Sequence, residues 1–187
     1  MINKTMFTRE AARKNVCSLP LPSLLAPPQE LQKLNAVVSH YSQLRLKPGW
    51  DLWRTAGRIF AEHDGVDIGD PEWTSGIMGD ESPLSYLQAA VCYHHVKEYS
   101  DQKTGVIQQA IMDDAYMREL DLFHQWSFGK VKRSFNPIFF YDSLLHPAVI
   151  FFTLHQEDRE VIQKHVHRFS RSGYELKTLK RTWTMAL

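Results

Sequence analysis

The side chains best suited to act on another molecule are a basic run near the C-terminus, nine histidines and two cysteines. Lys164, Arg168, Arg171, Lys177, Lys180 and Arg181 stand against Glu175 alone from Lys164 to the end of the chain, with Phe169, Tyr174 and Trp183 interleaved. Cations neutralise phosphates, and aromatic rings stack on unpaired bases. Lys130, Lys132 and Arg133 follow Gly129 in an expected loop and can join this surface. The expected nucleic-acid contacts are therefore Lys130, Lys132, Arg133, Arg168, Arg171, Lys177, Lys180 and Arg181 for phosphate, with Tyr174 and Trp183 for stacking. On one regular strand, Lys177, Arg181 and Trp183 share a face while Lys180 takes the other, which divides the patch. Lysines on a solvated sheet edge that blunt unwanted pairing are the plainer reading of the same residues.

The histidines offer metal ligation, and the expected secondary structure argues against it. His94 and His95 are adjacent, so on a helix they diverge by about 100°. His165 and His167 fall within an expected helix, where a spacing of two points them nearly opposite ways. His63 with Asp64, Asp67 and Asp70 is the densest local cluster, but its spacing is not that of an EF-hand loop. No HExxH is present. The histidines read as ordinary imidazoles, and neither a metal nor another cofactor is expected.

Nucleophile motifs are missing too: the chain has no GxSxG, Walker A loop or GxGxxG. Cys92, within Ala90-Val91-Cys92-Tyr93, reads as a buried inert thiol. Asp121 and His124 have relay spacing on a helix but read as salt-bridged surface. No catalytic residue is assigned, and the chain reads as a non-enzyme.

The charge order narrows the choice of partner. Residues 1–60 carry 9 basic and 3 acidic side chains, residues 61–123 carry 3 and 13, and residues 124–187 carry 10 and 5. The blocks are +6, −10 and +5 within a chain of net charge +1. Such asymmetry points to a partner of opposite sign or to self-pairing in the fold.

The elements that must position these residues read as α+β. Residues 1–27 form an extended arm broken by Pro20, Pro22 and Pro27, expected to pack on its own domain, a second copy or a partner. Residues 28–187 form one globular domain, helical over 28–129 and α/β over 130–187. About four helices are expected: Pro28–Leu44, Trp50–His63, Leu84–Tyr99 and Thr104–Trp126. Each has apolar residues at helical spacing. Asp64–Pro83 reads as a long acidic loop pinned by Trp73, Ile77 and Met78. Ile138–Tyr141 and Ala148–Phe152 read as strands, followed by a helix that begins near Thr153 and stops at Gly173. Tyr174–Met185 closes the chain as a strand.

Two unpaired cysteines and no signal-peptide pattern point to a cytoplasmic protein. No apolar run reaches the roughly 18 residues of a membrane span. The expected function is a non-enzymatic regulatory or accessory protein that binds nucleic acid or a nucleoprotein complex through its basic C-terminal surface. Two alternatives stay open: a protein-interaction module or inhibitor using the acidic central loop, and a small metal-dependent hydrolase or nuclease.

Overall fold

A computed structural model describes residues 4–7, 31–55, 58–101, 109–124, 134–156 and 160–186. The described chain is mostly β, which corrects the expectation of a helical two-thirds with about four helices. Its elements are β1 (Thr5–Met6), β2 (Gln32–Lys33), α1 (Asn35–Ser39), β3 (Leu44–Leu46), β4 (Trp50–Thr55), β5 (Arg58–His63), β6 (Val66–Ile68), a 3₁₀ turn (Glu72–Gly76), β7 (Ile77–Gly79), α2 (Pro83–Asp101), β8 (Gln109–Ile111), α3 (Asp114–His124), β9 (Ile138–Tyr141), β10 (Pro147–Gln156), β11 (Glu160–Phe169) and β12 (Leu176–Ala186).

These strands form three sheets. The largest runs β1-β9-β10-β11-β12, with β8 also paired to β10; the second runs β2-β4-β5-β6; the third pairs β3 with β7. Helix α2 touches strands of all three. A helix so placed is covered on every side, and Tyr86 to Val96 are all buried along it.

Two expected helices are hairpins. Over Trp50–His63 burial alternates: Leu52 and Arg54 point inward on β4, Ile59 and Ala61 on β5. They face each other as Leu52↔Ala61 and Arg54↔Ile59. The helix expected after Thr153 is instead the long hairpin β10–β11, paired from Ala148↔Arg168 to Gln156↔Glu160. Ile162, Val166 and Phe169 do fit a helical stripe. Pairing on both sides of β11 outweighs that local signal, as tertiary contacts routinely outweigh propensity. The supposed acidic loop is also structured. Asp64 and Gly65 both have positive φ, and this two-residue turn joins β5 to β6.

The hairpin β9–β10, the strand β12 and the helix α2 agree with expectation. Of the N-terminal arm, Thr5 and Met6 pair with Phe139 and Ile138 on the chain's own sheet. The segment from 8 to 30 lies outside the described residues. No helix among the described residues is long and apolar enough to cross a membrane.

Candidate metal centre

The sheet face that meets α2 carries Phe139, Val149, Phe151, Thr153, His165, His167 and Phe169, all buried. Helix α2 answers with Tyr86, Ala90 and His94, spaced four apart on one side. Tyr86 stacks on Phe139 with centroids 5.7 Å apart and tilts against Phe169 at 5.4 Å. His94 meets the edge of Phe151 at 5.2 Å.

This packing assembles a group absent from the sequence reading. His94, His165 and His167 each offer one ring nitrogen, and these three atoms lie within 4.8 Å of one another. The cause is the strand period. Two residues apart on a strand point the same way, where on a helix they would diverge. The adjacent histidines of α2 do diverge as expected. His94 enters the cluster, while His95 turns to the segment just after α1, where its Nδ1 is 2.5 Å from Tyr41 Oη.

His94 Nε2 and His167 Nε2 are 2.9 Å apart, so one ring donates a proton and the other accepts it. Thr153 Oγ1 lies 2.8 Å from His165 Nε2. Phe151 stacks on His165 at 4.8 Å, and Tyr93 stands edge-on to His94 and His167. The three histidines are 0–4% exposed. A tetrahedral ion with bonds of about 2.0–2.1 Å holds its nitrogens roughly 3.3 Å apart. The His94–His167 pair is within a few tenths of an ångström of that span. The widest pair must close by roughly 1.5 Å, a movement that rotation of the rings can supply.

No protein-family model, curated protein or solved structure matches this chain.

The expected nucleic-acid surface is distributed differently from the histidines. Lys130, Lys132 and Arg133 lie outside the described residues, as do the side chains of Arg181 and Trp183. In the strand register, Arg181 is the partner of His165 and Trp183 of Gln163. Arg168 pairs with Asp142 at 2.8 Å, and Lys177 with Glu175 at 2.5 Å. Arg171 and Lys180 are exposed. Tyr174 is a core residue: it is 2% exposed, its hydroxyl accepts from the Glu81 N–H at 2.8 Å, and it is 2.7 Å from Ser85 Oγ. Its ring packs against Tyr86 at 4.9 Å, which leaves no face for a base. Burial raises its phenol above the usual range.

The acidic block is partly neutralised from within. Asp67 pairs with Arg58 at 2.6 Å and Asp70 with Lys97 at 2.8 Å. Asp70 also accepts from Trp73 Nε1 at 3.2 Å, and Trp73 is fully buried. His63 stacks on Trp50 at 4.8 Å instead of gathering the three aspartates, of which only Asp64 is close, at 3.5 Å. Cys92 is buried, and burial pushes its thiol well above the usual range, as an inert thiol requires. The side chains of Asp121 and His124 lie outside the described residues. A separate cleft of about 300 Å³ is lined by Ser42, Gln43, Leu44, Arg45, Gly79 and Asp80 and shares no residue with the histidine cluster.

Proposed function

We propose that this chain is a metal-binding protein whose centre is His94, His165 and His167. The observation that carries the reading is the convergence of three buried imidazoles from two elements, with ligating atoms within 4.8 Å. Neutral imidazole is the commonest metal-binding side chain. The reading shares only its metal with the hydrolase or nuclease alternative of the sequence analysis, uses a different ligand set, and assigns no reaction. Calorimetric titration of Zn²⁺ into the full chain is expected to give one site per chain. His167→Ala and His94→Gln are expected to abolish it, while His63→Ala retains it. Wild-type heats no larger than dilution would contradict the proposal.

A second reading keeps nucleic acid as the partner, on one placement. Lys164, Arg168 and Lys180 fall on the sheet face opposite the histidines. Lys180 is paired with Val166, between the other two. Diagonal neighbours on a sheet are about 7–8 Å apart, close enough for one phosphate backbone to span. This reading predicts retention on nucleic acid that falls steeply with salt. Retention unchanged after reversing all three charges would remove it.

A further inference from the structure

We infer that the ion is of the zinc class and that it clamps α2 to β11 as a closed structural centre, with no coordination position open to a substrate. The inference rests on the metal-binding reading above and adds the ion and its role.

Four observations support it. The donor set is nitrogen only: among the described residues the group holds no carboxylate and no thiolate. Imidazole donors suit zinc and its late first-row neighbours, whereas magnesium and calcium take oxygen. The surroundings are buried and aromatic, with Phe151 stacked on His165 and Tyr93 against the other two rings. The Thr153 hydroxyl lies 2.8 Å from His165 Nε2, so a protein oxygen stands at hand for a fourth position. Finally, His94 and His167 are 73 residues apart. An ion held by both closes a long loop, and long closures constrain the unfolded chain most.

The test is the full chain loaded with Co²⁺ in place of Zn²⁺. The expected visible spectrum is that of tetrahedral cobalt, unchanged by excess azide. Zn²⁺ at about 100 times its dissociation constant is expected to raise the melting temperature by roughly 5–10 °C. Mg²⁺ and Ca²⁺ are expected to leave it unmoved. His167→Ala is expected to lose the cobalt spectrum. If that variant does not fold, wild-type chain stripped by chelator and then reloaded supplies the same comparison. A spectrum that azide alters overturns the closed centre and leaves metal binding standing. Equal stabilisation by Mg²⁺ overturns the ion class. No binding of any ion overturns both this inference and the metal-binding reading.

Discussion

His94 Nε2 lies 2.9 Å from His167 Nε2, across 73 residues of chain. The contact joins the central helix to β11, an interior strand of the largest sheet. It places two polar rings where the fold would otherwise set hydrocarbon, among Phe151, Val149 and Phe169. A buried polar group is tolerated when bonded and costly when its partner is removed.

The costs of removing the two rings of this pair are therefore expected to be non-additive. His94→Leu or His167→Leu alone should cost about 1–3 kcal/mol in metal-free buffer, because the remaining imidazole loses this partner. The double variant should cost less than the sum of the two, with a coupling of roughly 0.5–3 kcal/mol. Urea unfolding of the four proteins measures this, and additive costs would show that the two rings do not interact.

Gly79 has no room for a side chain. An added Cβ would stand 2.5 Å from Tyr174 Oη and 2.6 Å from the Gln43 carbonyl oxygen. Gly79→Ala is expected to destabilise by about 1–3 kcal/mol, the usual cost of overpacking. Gly69→Ala, with open space around its Cβ, is the control. Equal melting temperatures for the two variants would contradict the close approach.

Tyr174 is expected to matter for stability and not for binding nucleic acid. Tyr174→Phe keeps the ring and removes the hydroxyl that meets the Glu81 N–H and Ser85 Oγ. The loss should be about 1–3 kcal/mol, since the buried Ser85 hydroxyl and the part-buried Glu81 N–H each lose a partner. Retention on a nucleic-acid column should not change. A folded, equally stable variant with weakened retention would restore the stacking role.

Acid should act partly through Asp51. Hydrogen bonds from Lys33 and Asn35 hold its carboxyl below the usual range. A folded-state value below the unfolded one gives stability that is present above about pH 4 and is lost as pH falls through the folded value. Asp51→Asn is therefore expected to flatten the fall of melting temperature in that acid window. A fall as steep as that of the wild type would show that Asp51 carries no such linkage.

How much of this was legible depends on which local signals competed with pairing. Helix α2 was readable because Ser82-Pro83 marks its start, and Ser82 Oγ does accept from the Ser85 N–H at 3.2 Å. The Asp64-Gly65 turn was readable as a hairpin signal, but the surrounding acidic residues pointed to a loop. Over β11, Ile162, Val166 and Phe169 satisfy a helical period, while the buried Ile162, His165, His167 and Phe169 include the two-residue period of a strand. The apolar residues alone do not choose between them. Gly173 has φ +82°, as expected, but serves the turn into β12 and not a helix end. The histidine cluster follows from that one choice of period. Read as a strand, His165-Val166-His167 places both rings on one face. The arrival of His94 depends on long-range packing that no local pattern encodes.

X-ray absorption at the zinc edge of the zinc-loaded chain tests the central claim most directly. The expected first shell has nitrogen or oxygen at about 2.0–2.1 Å, with multiple scattering from three imidazoles and no sulfur. A shell dominated by carboxylate oxygen or by sulfur, or one with fewer than three imidazoles, would contradict the centre at His94, His165 and His167.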